Sequence, residues 1–407
     1  MAAPFVIVGG GLAGAKGAEA LRNEGYDGPI VLIGAEDELP YERPPLSKEY
    51  LRGEASREDP RVHPAEFYDG HDIELRLGTT VEEIDLDARE LVLAGGDRLE
   101  WGRLLLATGA EPRRLPVPGA ELPGVHYLRD FADADALAER LGPGARVAVI
   151  GAGWIGSEVA ASARQLGAEV TLLEAARLPL ERVLGSRASE FFADVHRAHG
   201  VDLRLGVGVE RIAGDRAVEA VELADGERVE CDLVVVGVGV APRTELAERA
   251  GLEIDDGIAV GANLEASAEG VFAAGDVANA QHPFYGLKLR VEHWANALHQ
   301  PEVAARAMLG RPASYERLPF FFSDQYEVGM EYRGFAPSFD EVVLRGDPDD
   351  GEFLAFWLRE GRVAAVMNVN VWDVGAEVEA LIRSRRAVSR DALRDPDTPL
   401  SELAGGP

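Results

Sequence analysis

Two short glycine-rich segments are the parts of this 407-residue sequence whose residue types and spacing best suit a defined chemistry. They read GGGLAG at 9–14 and GAGWIG at 151–156. In such a segment the first glycine allows a tight turn, the second lets the backbone approach a pyrophosphate, and the third lets a helix pack closely on a strand. Because phosphates bind the N–H groups at a helix N-terminus, each segment predicts a dinucleotide site.

An acidic residue follows each glycine segment, Glu36 after the first and Glu174 after the second. A carboxylate at this distance, roughly 20 residues on, can accept hydrogen bonds from the ribose hydroxyls and disfavours a 2′-phosphate. Glu174 therefore favours NADH over NADPH at the second segment. Arg177 lies close by in the sequence and leaves the use of NADPH open.

The elements that must position these residues occur twice. Buried-strand patterns at 5–8 and 30–33 flank the first segment and its helix, and the patterns at 146–150 and 170–174 repeat the arrangement around the second. The sequence thus contains an internal duplication of a βαβ unit. The first copy is interrupted, because a long insertion separates Glu36 from its later strands and the chain returns to this copy after Gly239, beyond the inserted second copy.

Other segments complete the predicted organisation. Apolar and polar residues alternate at 73–77, 80–85 and 90–93 as in short antiparallel strands. A helix is expected from near Val291 to Leu309, and the segments after Leu318 are predicted to be mostly strands with one helix. We predict an α/β fold with two Rossmann-type dinucleotide-binding domains, arranged as in glutathione reductase, and a C-terminal α+β domain. The predicted ranges are 1–111 with 241–317 for the first domain, 112–240 for the second and 318–407 for the third.

Composition and charge narrow the classes of partner. The formal charge is −30, which disfavours binding to nucleic acid and to anionic membranes. The sequence has no uninterrupted apolar run of about 18 residues, as a transmembrane helix would need. Residues 1–4 pass directly into a predicted strand without the pattern of a secretory signal, so we expect a cytoplasmic protein.

Cys231 is the only cysteine of the chain. One thiol cannot form an internal disulfide, a redox-active pair or a four-cysteine metal site, and no metal site is predicted. Cys231 precedes the apolar run Leu233–Val236 and is expected to lie in the core. Disulfide chemistry is therefore disfavoured.

Several motifs, taken together, resemble one family along essentially the whole chain. The segments are RPPLSK at 43–48, ATG at 107–109, WIGSE at 154–158, AGD at 274–276 and SDQY at 323–326. The chain resembles the oxygenase-coupled NADH–ferredoxin reductases, the putidaredoxin reductase-like family, which is also related to apoptosis-inducing factor. The resemblance implies that the first domain binds FAD and that the inserted second domain binds NADH.

The motifs and the resemblance together imply a set of cofactor-binding residues. For FAD these are Gly9, Gly11, Leu12, Ala13, Gly14, Glu36, Arg43, Lys48, Val81, Ala107, Thr108, Gly109, Arg129, Asp276 and Trp294. For NADH they are Gly151, Gly153, Trp154, Ile155, Gly156, Glu158, Glu174, Arg182, Gly237, Val238 and Gly239. By the resemblance, Asp276 contacts the ribityl chain and Trp294 lies by the flavin ring. Without it, Val81 would be interpreted as strand core and Arg129 as a surface charge.

Lys48 and Glu158 are the residues expected to be catalytic. The resemblance places them at the junction of flavin and nicotinamide, where they can form an ion pair and where a fixed cation would stabilise negative charge on the reduced flavin. One departure from the family is visible, because Phe322 stands where many members have tryptophan. Phenylalanine can pack by a flavin but offers no N–H donor.

The function implied by the resemblance is NADH:ferredoxin oxidoreductase. Hydride would pass from NADH to FAD, and single electrons would then pass to a 2Fe–2S ferredoxin that supplies a cytochrome P450 or a ring-hydroxylating oxygenase. Two alternatives stay open: an NADH-dependent flavoprotein with another acceptor, such as a quinone or a monodehydroascorbate-like radical, and an apoptosis-inducing-factor-like interaction protein under redox control. The sequence leaves open whether the protein is a monomer or a homodimer.

Overall fold

The structure, a computed structural model, describes residues 3–405 and divides into two compact units. The first unit comprises the chain up to Glu42, Arg57–Glu111 and Val240–Pro319, and the second comprises Arg43–Ser56, Pro112–Gly239 and the chain from Phe320 onward. The segment Arg43–Ser56 thus groups with the second unit. Met1 and Ala2, which enter the prediction about a secretory signal, lie outside the described residues.

The described residues form the following strands and helices, in chain order within each class. The strands are β1 (Phe5–Val8), β2 (Ile30–Ile33), β3 (Ile73–Arg76), β4 (Val81–Asp85), β5 (Glu90–Leu93), β6 (Arg98–Glu100), β7 (Arg103–Leu106), β8 (Ala110–Pro112), β9 (Val125–His126), β10 (Arg146–Ile150), β11 (Glu169–Glu174), β12 (Asp202–Leu205), β13 (Val209–Ala213), β14 (Ala220–Leu223), β15 (Arg228–Glu230), β16 (Leu233–Val236), β17 (Val240–Pro242), β18 (Ile258–Val260), β19 (Val271–Ala273), β20 (Ala278–His282), β21 (Leu287–Leu289), β22 (Phe320–Gln325), β23 (Val328–Gly334), β24 (Glu341–Asp347), β25 (Glu352–Arg359) and β26 (Arg362–Val369). The helices are α1 (Leu12–Asn23), α2 (Ala65–Gly70), α3 (Phe131–Ala138), α4 (Trp154–Gln165), α5 (Glu181–Ala198), α6 (Glu245–Arg249), α7 (Trp294–Met308), α8 (Gly375–Ser384), α9 (Arg390–Arg394) and α10 (Leu400–Leu403).

The first unit is built on a parallel sheet with the strand order β3-β2-β1-β7-β19. Its central strands are apolar and buried except at the first residues of β1 and β7, Phe5 and Arg103, as expected for a sheet covered on both faces. The run at 73–77 was predicted as an antiparallel strand, and this is wrong: Ile73 pairs with Ile30 in parallel register. Alternation shows that one face is exposed but does not indicate strand direction. A separate antiparallel meander, β4-β5-β6, precedes β7.

The second unit also contains a five-stranded parallel sheet and a three-stranded meander, and it has a further antiparallel sheet formed by the C-terminal part of the chain. Its parallel sheet has the order β12-β11-β10-β16-β9, and an antiparallel meander, β13-β14-β15, again precedes the fourth strand. The duplication therefore includes the meander as well as the βαβ unit. After Phe320 the chain forms the antiparallel sheet β22-β23-β26-β25-β24 with α8, the α+β composition predicted for the third domain.

The helices of the described residues include none that is both long enough and apolar enough to cross a lipid bilayer. The domain ranges given from the sequence stay predictions.

Candidate cofactor and active site

The first glycine segment forms a turn whose first and last positions, Gly9 and Gly14, accept only glycine. Gly9 has φ +128°, and a Cβ there would lie 2.0 Å from the carbonyl oxygen of Ala107. A Cβ on Gly14 would lie 1.9 Å from the carbonyl oxygen of Gly9. At Gly11, by contrast, a Cβ would meet no atom of the described chain within 4 Å. The outer glycines are thus required by packing, whereas Gly11 borders open space that suits an approaching pyrophosphate.

The second glycine segment repeats the same geometry. Gly151 has φ +99°, and a Cβ there would lie 2.4 Å from the carbonyl oxygen of Gly237. A Cβ on Gly156 would lie 1.9 Å from the carbonyl oxygen of Gly151, while one on Gly153 would have its nearest neighbour, the Gly237 oxygen, at 4.0 Å. Again the middle glycine is the open one. This repetition at two independent sites is what we would expect if both turns bind the same kind of group.

Each turn ends in a helix N-terminus that lacks a side-chain cap. Helix α1 begins at Leu12 with Gly11 as its N-cap, and α4 begins at Trp154 with Gly153 as its N-cap, and neither cap makes a side-chain hydrogen bond. The first N–H groups of an α-helix have no partner inside the helix. These groups, together with the positive end of the helix dipole, form an anion site beside each open glycine. Both turns therefore fit the pyrophosphate of a dinucleotide.

The two acidic residues lie at the ends of the second strands, as predicted. Glu36 follows β2 and accepts a 2.5 Å hydrogen bond from the hydroxyl of Tyr41. Glu174 is the last residue of β11, and its carboxylate accepts hydrogen bonds from the backbone N–H groups of Ala152, at 2.7 Å, and Ala176, at 2.8 Å. The first of these donors lies in the glycine segment, so the carboxylate of Glu174 is fixed at the edge of the proposed pyrophosphate site.

Arg177, the residue that left the use of NADPH open, forms an ion pair within the chain. Its guanidinium forms an ion pair with Glu181 at 2.6 Å, four residues on at the start of α5. An arginine that bound a 2′-phosphate would have to leave this partner. An exposed pair of this kind is weak, so the preference for NADH depends on the carboxylate of Glu174.

Asp276 is brought to the first glycine segment by the glycine before it. Gly275 has φ +80°, and a Cβ there would come within 3.1 Å of the Cβ of Ala13 in α1. Its N–H donates to the side chain of Gln300 at 2.8 Å. This close approach sets Asp276 beside the N-terminal turn of α1, which is the arrangement that a contact with the same bound dinucleotide requires.

The remaining residues predicted for FAD in the first unit are distributed along its edges. Val81 begins β4 and is buried, and the hydroxyl of Thr108 donates to the carbonyl oxygen of Arg243 at 2.8 Å. Trp294 is the first residue of α7, and its indole N–H donates to Glu42 at 2.8 Å. Ala107 and Gly109 complete this edge as the loop that follows β7. None of these positions conflicts with a role in binding FAD, and their roles stay predictions.

Other predicted residues belong to the second unit. The guanidinium of Arg43 donates to the backbone carbonyl of Arg129, so these two predicted FAD residues contact each other. Ile155, in the first turn of α4, leaves 45% of its surface exposed, and its role in binding NADH stays a prediction. Arg182 is exposed in α5. Val238 lies in the loop after β16, between Gly237 and Gly239.

Lys48 and Glu158 lie next to each other, as the family resemblance implied. Lys48 follows a short 3-10 turn, Pro44–Ser47, and Glu158 projects from the second turn of α4. Their charged groups lie 3.5 Å apart, Nζ to Oε2, and both residues are almost fully buried, at 5% and 4% exposure. A buried charge without a partner is strongly destabilising, so each of these two residues needs the other or an equivalent partner.

Two serine hydroxyls that the sequence did not single out also reach Glu158. The hydroxyl of Ser47 donates to Oε2 at 2.5 Å, and that of Ser323 donates to Oε1 at 2.7 Å. Ser323 belongs to the SDQY motif, which marked the start of the C-terminal domain, but its residue type gave no signal that it would bind a carboxylate. The site thus contains one carboxylate with three donors.

Phe322 lies against the same lysine. The Nζ atom of Lys48 is 5.3 Å from the centre of the Phe322 ring, within the range of a cation–π contact. The ring therefore stabilises the ammonium without an N–H donor, so the departure from the family tryptophan keeps an aromatic face at this position.

Cys231 lies in the core of the second unit, as predicted. Burial, reinforced by the nearby carboxylate of Asp232, raises the pKa of the Cys231 thiol to about 12. The reactive form of cysteine is the thiolate, so this thiol is unreactive at neutral pH.

Comparison with known proteins defines the class. Residues 3–300 match the family of pyridine nucleotide-disulphide oxidoreductases, and residues 320–404 match the family described as reductase C-terminal. The chain belongs to the pyridine nucleotide-disulphide oxidoreductase family. This result confirms the predicted fold class of two nucleotide-binding domains followed by a C-terminal domain.

Its similar proteins within that family include ferredoxin reductases. The chain is 42% identical to rhodocoxin reductase of Rhodococcus erythropolis over 90% of this chain and 86% of that one, and 38% identical to putidaredoxin reductase of Pseudomonas putida over 98% and 96%. Among solved structures it is similar to the reductase in the covalent putidaredoxin reductase–putidaredoxin complex, with a TM-score of 0.94 and 37% identity over 99% of this chain and 98% of that chain. The ferredoxin reductase for the CYP199A2 system of Rhodopseudomonas palustris gives a TM-score of 0.95 at 37% identity, over 99% and 100%. These matches confirm the resemblance drawn from the motifs.

Proposed function

We propose that this protein is an FAD-dependent reductase that takes hydride from NADH and passes electrons singly to a 2Fe–2S ferredoxin. The observation that carries the proposal is the pair of uncapped helix N-termini, each beside an open glycine, in a chain whose relatives are ferredoxin reductases. The similar proteins include the reductase component of an anthranilate 1,2-dioxygenase system and the ferredoxin reductase for the CYP199A2 system, and we propose an oxygenase of one of these kinds as the final consumer of the electrons.

We assign FAD to the first glycine segment and NADH to the second. The first assignment is supported by Asp276, which lies beside α1, and by Glu36 at the end of β2. The second is supported by Glu174, whose carboxylate is fixed at the glycine turn. The corresponding ranges are 1–111 with 241–317 for FAD and 112–240 for NADH. We place the reaction in the cytoplasm and leave open whether the protein is a monomer or a homodimer.

When bound, FAD would accept a hydride from NADH, release its two electrons one at a time and return the proton to solvent. The chain supplies orientation and charge. Glu174 and the uncapped N-terminus of α4 bind and orient NADH, and the buried ammonium of Lys48 supplies positive charge where hydride transfer adds negative charge. The unreactive thiol of Cys231 offers no route through a disulfide, which is why we propose direct transfer from the flavin to the iron–sulfur partner.

Replacing Lys48 with alanine is expected to slow flavin reduction by NADH roughly 100-fold, the usual effect of removing one preorganised charged donor. The measurement is stopped-flow bleaching of the flavin absorbance under anaerobic conditions. Lys16→Ala is the matched control, because Lys16 pairs with Glu19 on the surface of α1 and should leave the rate unchanged. A Lys48→Ala variant with the wild-type rate would remove Lys48 from the catalytic residues.

The acceptor is tested by steady-state turnover. Purified holoenzyme is given NADH and either a 2Fe–2S ferredoxin of a P450 or dioxygenase system or a soluble quinone. We expect turnover with ferredoxin to exceed that with quinone and NADH to be preferred over NADPH. Rapid turnover with quinone and none with any ferredoxin would overturn the proposed acceptor.

A further inference from the structure

The three donors around the Glu158 carboxylate lie at different distances from it, and Lys48 is the most distant. The two serine hydroxyls lie at 2.5 and 2.7 Å, within the range of strong hydrogen bonds to a carboxylate, whereas the ammonium of Lys48 lies at 3.5 Å. An unrestrained ammonium–carboxylate pair would close to about 2.8 Å. The carboxylate is thus bound first by the serines and only loosely by the lysine.

Ser47 is fixed by contacts on both its backbone and its side chain. The hydroxyl of Ser162, in α4, donates to the backbone carbonyl of Ser47 at 2.7 Å. The hydroxyl of Ser47 has a second acceptor within reach, the carbonyl of Pro44 at 3.3 Å, but the shorter contact to Glu158 takes its single proton. All of these groups except Pro44 are almost fully buried, so water does not compete for them.

The hydroxyl of Ser323 is oriented by a neighbour in the same strand. The side-chain amide of Gln325 donates to the Ser323 oxygen at 3.3 Å, which leaves the hydroxyl proton directed at Glu158. Behind Gln325 lies His196, whose pKa burial lowers to about 4 although the contact with Gln325 acts in the opposite direction. The imidazole is therefore neutral at physiological pH, and it places no second cation near the carboxylate.

We propose that Ser47 and Ser323 are positioning residues that hold the Glu158 carboxylate short of a tight ion pair, so that the ammonium of Lys48 keeps its charge for the bound flavin. In a tight ion pair the negative charge of the carboxylate would offset more of the electrostatic field of the ammonium. The ammonium would then stabilise negative charge on the flavin less. The inference rests on the proposed function for its consequence, but the arrangement itself concerns only residues of this chain. It also assigns a role to the C-terminal domain, which contributes Ser323.

Ser323→Ala is the direct test. The variant should bring Nζ of Lys48 to about 2.8 Å from Glu158 in a crystal structure, should make the flavin reduction potential more negative, and should slow reduction by NADH about tenfold. Ser47→Ala should act in the same direction, and it guards against a Ser323 variant that fails to fold. Ser189→Ala is the matched control, because Ser189 is also a fully buried serine but its hydroxyl has no hydrogen-bond partner in the described residues.

A double-mutant cycle separates positioning from general damage. In a Glu158→Gln background, Ser323→Ala should no longer change the potential or the rate, because the carboxylate through which it acts is gone. An unchanged 3.5 Å separation in Ser323→Ala, or an equal loss of rate in both backgrounds, would overturn the proposal. Wild-type enzyme that NADH does not reduce would instead overturn the proposed function, while the crystallographic distance would still test the serines.

Discussion

Replacing Gly11 with valine is expected to give a folded protein that contains no FAD. Gly11 has φ −94°, which any residue can adopt, and a Cβ there would meet no atom of the described chain within 4 Å. The fold therefore tolerates the side chain, but the side chain fills the space through which a pyrophosphate must approach the N-terminus of α1. The purified variant should lack the visible absorbance of flavin while its circular dichroism matches that of the wild type.

The control is another open glycine of the same unit. A Cβ on Gly70, at the end of α2, would also meet no atom within 4 Å, so Gly70→Val should retain flavin. Gly14→Val makes the opposite comparison: its Cβ would lie 1.9 Å from a backbone oxygen, and we expect loss of the fold together with the cofactor. A Gly11→Val protein that purifies with a full complement of FAD would contradict the assignment of FAD to the first segment.

Replacing Gly153 with valine is expected to have the complementary effect. Gly153 has φ −77° and its Cβ would have no neighbour closer than 4.0 Å, so the variant should fold and retain FAD. Hydrogen bonds to a charged group contribute about 1.5–3 kcal/mol each, so losing two at the pyrophosphate should weaken NADH binding 100-fold or more. The measurement is the NADH concentration that gives half-maximal rate of flavin reduction in stopped flow.

The two valine variants are most informative as a pair. Gly142→Val, at an open glycine outside the second turn, is the control for Gly153→Val and should bind NADH normally. Loss of FAD in Gly153→Val, with retention of FAD in Gly11→Val, would reverse our assignment of the two cofactors. Equal loss of both cofactors in either variant would indicate misfolding and would contradict the view that these middle glycines face only ligand.

The sequence predicted the parts of the site that depend on local pattern. The glycine segments, the acidic residues at the strand ends and the duplicated βαβ unit follow from periodicity and spacing, which a single sequence contains. The resemblance to a family supplied the pairing of Lys48 with Glu158. Spacing alone would not have paired them, because they are separated by 110 positions and lie on different elements.

The parts that were missed depend on contacts between distant segments. Ser47 and Ser323 are common residues whose hydroxyls become important only when the fold brings them to one carboxylate. The direction of β3 depends on which strand it joins, and its alternation of buried and exposed residues is compatible with either direction. The 3.5 Å distance between Nζ of Lys48 and the Glu158 carboxylate depends on the hydroxyls of Ser47 and Ser323, which bind the same carboxylate. That distance could not be predicted without the positions of the two serines.

One anaerobic titration tests the central claim most directly. Holoenzyme is titrated with NADH until the flavin absorbance is lost, and oxidised 2Fe–2S ferredoxin is then added in steps. Because hydride carries two electrons and the cluster accepts one, about one NADH should bleach each flavin and about two ferredoxins should restore its colour. Bleaching that NADH cannot produce, or a bleached enzyme that ferredoxin leaves unchanged while a quinone restores it, would contradict the account.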